Sequence, residues 1–147
     1  MHRIIALASL LAVALFSGEC GSSNTPTQNN INGNWTAALT NPDGSLAFRF
    51  SATFAQGSGS QLSITDLTYT SSSSCPVLAS MNSAGGTFTA TSGTFTMGEI
   101  FTNVGGPALD LQGKASNSLI SGQWTLSGVL PECSGNGSFT IQPTTAG

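Results

Sequence analysis

Few residues of this chain have the chemistry of a general base, a nucleophile or a metal ligand. The only histidine among the 147 residues is His2, near the start of the chain. The Ser-His-Asp and Cys-His arrangements of hydrolases and the usual zinc sites need imidazole as a base or a ligand. Because His2 falls in a segment that we expect to be removed, the mature chain lacks these forms of chemistry.

Carboxylates are the remaining option for catalysis, since a pair of acids is sufficient for glycoside hydrolysis. The acids beyond the first segment are Asp43, Asp66, Glu99, Asp110 and Glu132. Asp43 and Glu132 fall in predicted turns, and the apolar alternation around Asp110 directs it to solvent. No Asp-x-Asp cluster indicates a calcium site. The sequence therefore predicts a protein that is not an enzyme and that holds no metal or cofactor.

Glu99 is the one acid that breaks the pattern of its strand. It falls on the face predicted for Phe95, Met97 and Phe101, where burial would raise its pKa. Acids with such shifted pKa values concentrate at functional sites. The interpretation that we prefer is a bulge at Gly98, which turns Glu99 outward.

Three aromatic residues, Trp35, Tyr69 and Trp124, are of the types that stack on sugars. Together they would form the platform of a carbohydrate-binding module. Both tryptophans, however, share their strand faces with isoleucine and leucine, and an apolar face of this kind packs into a core. Packing is therefore the favoured interpretation.

The composition excludes several classes of protein. Only 6% of residues are charged, and the chain contains 22 Ser, 18 Thr and 18 Gly. This mixture disfavours long helices and suits short strands and turns. Three basic residues in the whole chain are too few to neutralise a polyanion, so we expect no nucleic-acid partner.

The N-terminal segment has the order of an export signal. Arg3 precedes an apolar run of 13 residues from Ile4 to Phe16, followed by Cys20 and a polar tract that ends at Asn30. A membrane span needs about 20 apolar residues, so a shorter run is typical of a signal peptide.

This order resembles that of bacterial lipoproteins. The resemblance implies that residues 1–19 are the signal peptide, that Cys20 becomes the lipidated first residue, and that residues 20–30 are a flexible tether to the membrane. Because Gly21 rather than an aspartate follows the cysteine, the resemblance to Gram-negative lipoproteins implies the outer membrane. The alternative is ordinary signal cleavage, for example after Ala14, which would produce a secreted or periplasmic protein.

The three cysteines suggest one disulfide and one remaining thiol. Exported proteins reside where disulfides persist. Cys75 and Cys133 lie in turn-rich segments of the folded part, so we expect them to pair and Cys20 to be left for acylation. Redox catalysis is not expected, because the chain has no Cys-x-x-Cys motif and no cation beside a cysteine.

From Ile31 onward, apolar residues recur at every second position, which is the pattern of strands with one face on a core. The pattern predicts about eight short strands and no helix between residues 31 and 143, with residues 144–147 as a disordered tail. A change of parity predicts a bulge near Thr65 and Asp66. The fold class is therefore all-β, an antiparallel meander that closes into a barrel or flattens into a sandwich.

The meander is consistent with the predicted disulfide. Cys75 follows strand three and Cys133 follows strand seven, and connections after odd-numbered strands emerge at the same end of a meander.

An Ile-x-Gly-x-Trp-Thr motif occurs twice, at residues 31–36 and 120–125. A glycine two residues before a tryptophan is expected to leave space for the indole. The first copy is similar to the Gly-x-Trp of lipocalin-type barrels, which implies an eight-stranded barrel around a small apolar ligand. The many phenylalanines predicted to point inward instead favour a filled barrel.

The sequence thus predicts an exported, lipid-anchored small β-barrel of the bacterial cell envelope with a non-enzymatic binding or scaffolding role. A lipocalin-like carrier and a carbohydrate-binding module are the alternatives. The membrane, reached through the N-terminal lipid, is the one partner predicted; no protein or small molecule is identified by the residues.

Overall fold

The computed structural model describes residues 30–69, 84–99, 108–128 and 130–144. Within them, eight strands follow one another in chain order, with one short 3-10 turn at Pro131–Cys133. The strands are β1 Gly33–Thr40, β2 Leu46–Gln56, β3 Gln61–Tyr69, β4 Ala84–Thr89, β5 Thr94–Glu99, β6 Ala108–Ser116, β7 Leu119–Ser127 and β8 Gly135–Pro143. The predicted all-β class, with about eight antiparallel strands, is confirmed.

The strands form a closed barrel rather than a sandwich. Each strand pairs with the next one along the chain, and β8 returns to pair with β1. That closing pair runs antiparallel from Trp35 opposite Pro143 to Thr40 opposite Ser138. An even number of strands in a meander makes the first and last strands antiparallel, and closure leaves no exposed sheet edge.

The two ends of the barrel differ. At the terminal end, the chain enters β1 and leaves β8, and three tight turns join β2 to β3, β4 to β5 and β6 to β7. The turns of the terminal end are residues 57–60, 90–93 and 117–118. At the loop end, the other four connections leave the strands. These connections are residues 41–45, 70–83, 100–107 and 128–134.

The core fills the inside of the barrel with large apolar side chains. In β2, Phe48, Phe50 and Phe54 are buried and alternate with polar or small residues that face outward. The outer wall carries pairs of hydroxyl groups across neighbouring strands, such as Thr87 with Thr96 at 2.7 Å. The low charge of the chain therefore reflects a wall built from serine and threonine around an aromatic interior.

The predicted bulge on β3 is confirmed. The register between β2 and β3 shifts where Thr53 pairs with Thr65 and Ser51 pairs with Thr68. Asp66 lies in the shifted segment with a φ of 52°, which is in the left-handed region. Aspartate tolerates this region better than most residues, and the bulge returns the buried Leu67 to the core.

The predicted bulge at Gly98 is wrong. The register between β5 and β6 runs without a shift from Met97 opposite Leu111, through Gly98 opposite Asp110, to Glu99 opposite Leu109. Neither strand has an extra, unpaired residue at this point. The inward and outward alternation of β5 therefore continues to the end of the strand. The side chain of Glu99 lies outside the described part of the structure.

The role that we expected for the two motif glycines is also wrong. Gly33 has a φ of 123°, and a Cβ there would meet nothing within 4 Å, so backbone conformation rather than an indole requires glycine. A Cβ at Gly122 would collide with the backbone carbonyl oxygen of Gln112 on the neighbouring strand. The space for the Trp124 indole comes instead from Gly137 on β8.

The predicted signal peptide, most of the tether, Cys20 and Cys75 lie outside the described residues. At the other end of the chain, the Thr144 amide donates a hydrogen bond to the Asn34 carbonyl oxygen at 2.8 Å. Residues 145–147 are also outside the described part. No described segment is a helix of the length and apolar character needed to cross a membrane.

Candidate functional site

Trp124 lies near the loop end of the barrel interior. Its indole N–H donates to the Thr40 carbonyl oxygen at 2.9 Å, so a side chain of β7 reaches past β8 to β1. Its ring meets Phe48 edge-on at a centroid distance of 5.4 Å. The half-buried Tyr69 contacts the same phenylalanine at 5.9 Å. Trp124 therefore adds a side-chain contact across the seam, which is the pairing of β8 with β1.

Trp35 lies near the opposite, terminal end. Its indole N–H donates to the Ile31 carbonyl oxygen at 2.8 Å, which holds the chain before β1 over the barrel mouth. The ring stacks on Phe54 at 5.9 Å. Ile31 itself is fully buried. A buried indole needs an acceptor for its N–H, and both tryptophans have one.

The three aromatic candidates do not form a common surface. Trp35 and Trp124 are each only 3% exposed and lie towards opposite ends of the barrel, while Tyr69 shares the loop end with Trp124. Sugar stacking needs an exposed ring face, and these indoles face other rings and backbone. The structure places both tryptophans in the core.

The interior between the tryptophans is occupied by phenylalanine. Phe95 contacts Phe54 at 5.7 Å and Phe139 at 6.2 Å, so rings from β2, β5 and β8 meet inside the barrel. An eight-stranded barrel is just wide enough either to be filled by its own side chains or to hold one small ligand. The described interior has the first arrangement, which disfavours a lipocalin-like carrier.

An open cavity of about 610 Å³ lies on the outer wall over β4, β5 and β6. Its floor is the cross-strand pair Gly85 and Gly98, where no side chain covers the sheet. The Asp110 carboxylate lies beside the floor, with Oδ1 3.2 Å from the position that a Cβ on Gly98 would take. The other polar lining residues are Thr87, Thr96 and Gln112. This cavity offers hydrogen-bond donors and acceptors and one described carboxylate.

A second open cavity, of about 370 Å³, lies over β1, β2 and β3. The Thr53 hydroxyl is 2.9 Å from Asn34 Oδ1 and 3.0 Å from Asp66 Oδ2. A hydroxyl has one proton, so these two acceptors share it. The bulge orients Asp66 toward β2, and the result is a small network that suits polar contacts.

Sequence reasoning missed both cavities, and the reason is the register. Gly85 and Gly98 are 13 positions apart, and only the pairing of β4 with β5 shows that they are opposite each other. Asn34 and Asp66 likewise come together only because β1 and β3 flank β2. The only hint in the sequence is the glycine pair at residues 85 and 86.

Asp43 lies in the turn between β1 and β2, as predicted. Hydrogen bonds from the Ser45 hydroxyl and then from the Ser45 amide, at 2.6 and 2.9 Å to Oδ1, lower the pKa of this carboxyl. Both bonds stabilise the ionised carboxylate. Their contribution to the stability of the turn is therefore complete at a pH above the pKa of Asp43 in the unfolded chain, and it is lost as the pH falls through the lower pKa of Asp43 in the folded protein.

We expect an NMR titration of the Asp43 carboxyl carbon to yield a pKa below the ordinary aspartate value. Ser45→Ala removes the hydrogen bond from the hydroxyl, which is the larger cause, and keeps the hydrogen bond from the backbone amide. The pKa of Asp43 should therefore rise part of the way towards the ordinary aspartate value. An unchanged pKa in that variant would mean that the hydroxyl does not act on the carboxylate.

Cys133 is buried at the end of the short 3-10 turn and is disulfide-bonded. Its predicted partner, Cys75, belongs to the connection between β3 and β4, which the structure does not describe. The two connections do leave the same end of the barrel. The pairing of Cys75 with Cys133 remains a prediction.

Peptide mapping of the non-reduced protein should recover one cross-linked pair that contains Cys75 and Cys133. The same pair should persist in Cys20→Ser, because the predicted linkage does not involve that thiol. A peptide that joins Cys20 to Cys133 would contradict the assignment and would also remove the thiol needed for acylation.

Within the described ranges, no three His, Cys, Asp or Glu residues lie close enough together to hold a metal ion. No protein-family model, curated protein or solved structure matches the chain.

Proposed function

We propose that this chain is an exported, lipid-anchored β-barrel protein of the bacterial cell envelope, with a binding or scaffolding role and no catalytic activity. The observation that carries the proposal is the order of the N-terminal segment: 13 apolar residues, Cys20, and a polar tract that ends where the barrel begins. An anchor of this kind leaves the fold independent of the membrane, because the barrel presents a polar outer wall.

The positions of the described carboxylates support a non-catalytic role. Asp43 lies in a turn at the loop end, Asp66 on β3 and Asp110 on β6. Strands are about 4.8 Å apart, so the three strand spacings from β3 to β6 are about 14 Å along the wall. Paired acids in glycosidases are about 5 to 9.5 Å apart. Asp66 and Asp110 are therefore too distant to act on one bond.

Metabolic labelling with an alkyne analogue of palmitate tests the anchor. We expect the wild-type protein to be labelled and to fractionate with the outer membrane, and Cys20→Ser to be unlabelled. Ser23→Ala is the matched control, since it changes the same segment without removing the acylation site or a partner of the predicted disulfide. Absence of label on the wild-type protein, or equal label on Cys20→Ser, would overturn the anchor, and a mature chain that begins at residue 15 would indicate ordinary secretion.

A further inference from the structure

The tether joins the barrel at its terminal end. The polar tract from residue 21 to 30 contains ten residues, and only Asn32 and the buried Ile31 separate it from β1. If this tract is the flexible tether that the resemblance to lipoproteins implies, ten residues give it an r.m.s. span of about 17 Å. Nine-residue strands tilted by about 40° set the two ends of such a barrel about 23 Å apart. A lipid on Cys20 therefore holds the terminal end closer to the bilayer than the loop end.

Charge is divided between the same two ends. The described residues of the three terminal-end turns carry no charge, and Lys114 lies on β6 two residues before that strand ends. The terminal-end half also holds Asp66, which accepts a hydrogen bond from Thr53 beside Asn34, so one acid there balances Lys114. The loop-end half has an excess of acid: four acids belong to it, accompanied by Arg49 on β2. These acids are Asp43, Glu99, Asp110 and Glu132. An anionic bilayer surface attracts nearby basic residues and repels acids, so it favours contact with the terminal end.

Exposed leucines do not decide between the ends. Leu119, 41% exposed, begins β7 at the terminal end, whereas Leu46 and Leu130, 43% and 44% exposed, lie at the loop end. A single leucine buries too little area to outweigh the tether and the charge. These side chains do provide a matched pair of positions for a test.

We propose that the barrel rests with its terminal end against the bilayer surface to which its own lipid is attached, and that its loop end faces away. The inference rests on the proposed lipid anchor and adds an orientation to it. The described residues of the loop end, 41–45, 128 and 130–134, are then on the side presented to partners.

Quenching of fluorophores by lipids with a nitroxide headgroup tests the orientation. The lipidated mature protein is placed in vesicles of phosphatidylethanolamine and phosphatidylglycerol. Each sample carries one label, at Ser58→Cys or Thr91→Cys in the terminal-end turns, or at Pro42→Cys or Leu130→Cys at the loop end. With ends about 23 Å apart, labels in the terminal-end turns should be quenched at least about twofold more strongly than the loop-end labels. Equal quenching, or stronger quenching at Pro42→Cys, would overturn the orientation.

Co-sedimentation with the same vesicles separates the two proposals. If the wild-type protein sediments and Cys20→Ser does not, the anchor stands and the quenching pattern alone decides the orientation. If the wild-type protein fails to sediment, the proposed function is overturned and the orientation falls with it.

A pair of charge variants tests the cause. Leu119→Asp adds an acid at the terminal end and should lower quenching of the label at Thr91→Cys. Leu130→Asp adds the same charge at the other end and should leave that quenching unchanged. The reverse result, or equal effects of the two variants, would contradict contact at the terminal end.

Discussion

Replacing Gly137 by alanine is expected to lower the free energy of unfolding by about 3 kcal/mol or more, because the new methyl group overpacks the seam and leaves buried polar groups unpaired. A Cβ at this position would lie 2.8 Å from Trp124 Nε1 and would collide with the Thr40 carbonyl oxygen. Those two atoms form the hydrogen bond that reaches from β7 across β8 to β1. The methyl group therefore disrupts the side-chain contact that spans the pairing of β8 with β1.

Chemical unfolding followed by far-UV circular dichroism measures this effect, with Gly85→Ala as its control. A Cβ on Gly85 would meet nothing within 4 Å, and the residue lies in a strand. Removing the extra freedom of glycine there should leave stability unchanged or raise it by about 0.5 to 1 kcal/mol. Equal losses in the two variants would show that loss of a strand glycine, rather than the contact at Trp124, is responsible.

Replacing Phe95 by alanine is expected to cost about 3 to 5 kcal/mol of unfolding free energy, which is the usual range for truncating a buried phenylalanine. Phe95 is 0% exposed and contacts both Phe54 and Phe139. Its removal opens a void where three strands meet, and the rigid wall of a closed barrel limits how far the neighbours can relax into it.

The same unfolding assay checks the Phe95 prediction against Leu130→Ala. That residue is 44% exposed, so its truncation should change stability by no more than about 0.5 kcal/mol. Phe95→Leu should fall between the two. A loss for Phe95→Ala no greater than that for Leu130→Ala would indicate that the interior is loose enough to collapse, and would restore the interpretation of a hollow barrel.

The strands were predictable because buried and exposed positions alternate along a strand, and this alternation is visible in the sequence of each strand alone. Alternation from Leu46 to Ala55 marks β2, and the parity change before Leu67 marks the bulge that the structure shows. The bulge predicted at Gly98 was wrong. An acid on an apolar strand face suggests a bulge when the register with the opposite strand is unknown, and that register is regular here.

The two tryptophans show where prediction from sequence ends. Alternation was sufficient to place Trp35 and Trp124 on the inside, as observed. The shared motif did not reveal that one closes the terminal end and the other the loop end. It also pointed to the wrong glycine, because the space for the Trp124 indole comes from a residue that is adjacent only in the folded sheet.

The sequence by itself determined the all-β class, the approximate number of strands and the inward position of the aromatic residues, because each depends on the side-chain types of nearby positions. The tertiary structure decided that the sheet closes, that Phe95 packs against Phe54 and Phe139, and that Gly85 and Gly98 open a cavity beside Asp110. These features depend on register between strands. Local periodicity specifies which face a residue occupies, whereas only pairing specifies which residue lies beside it.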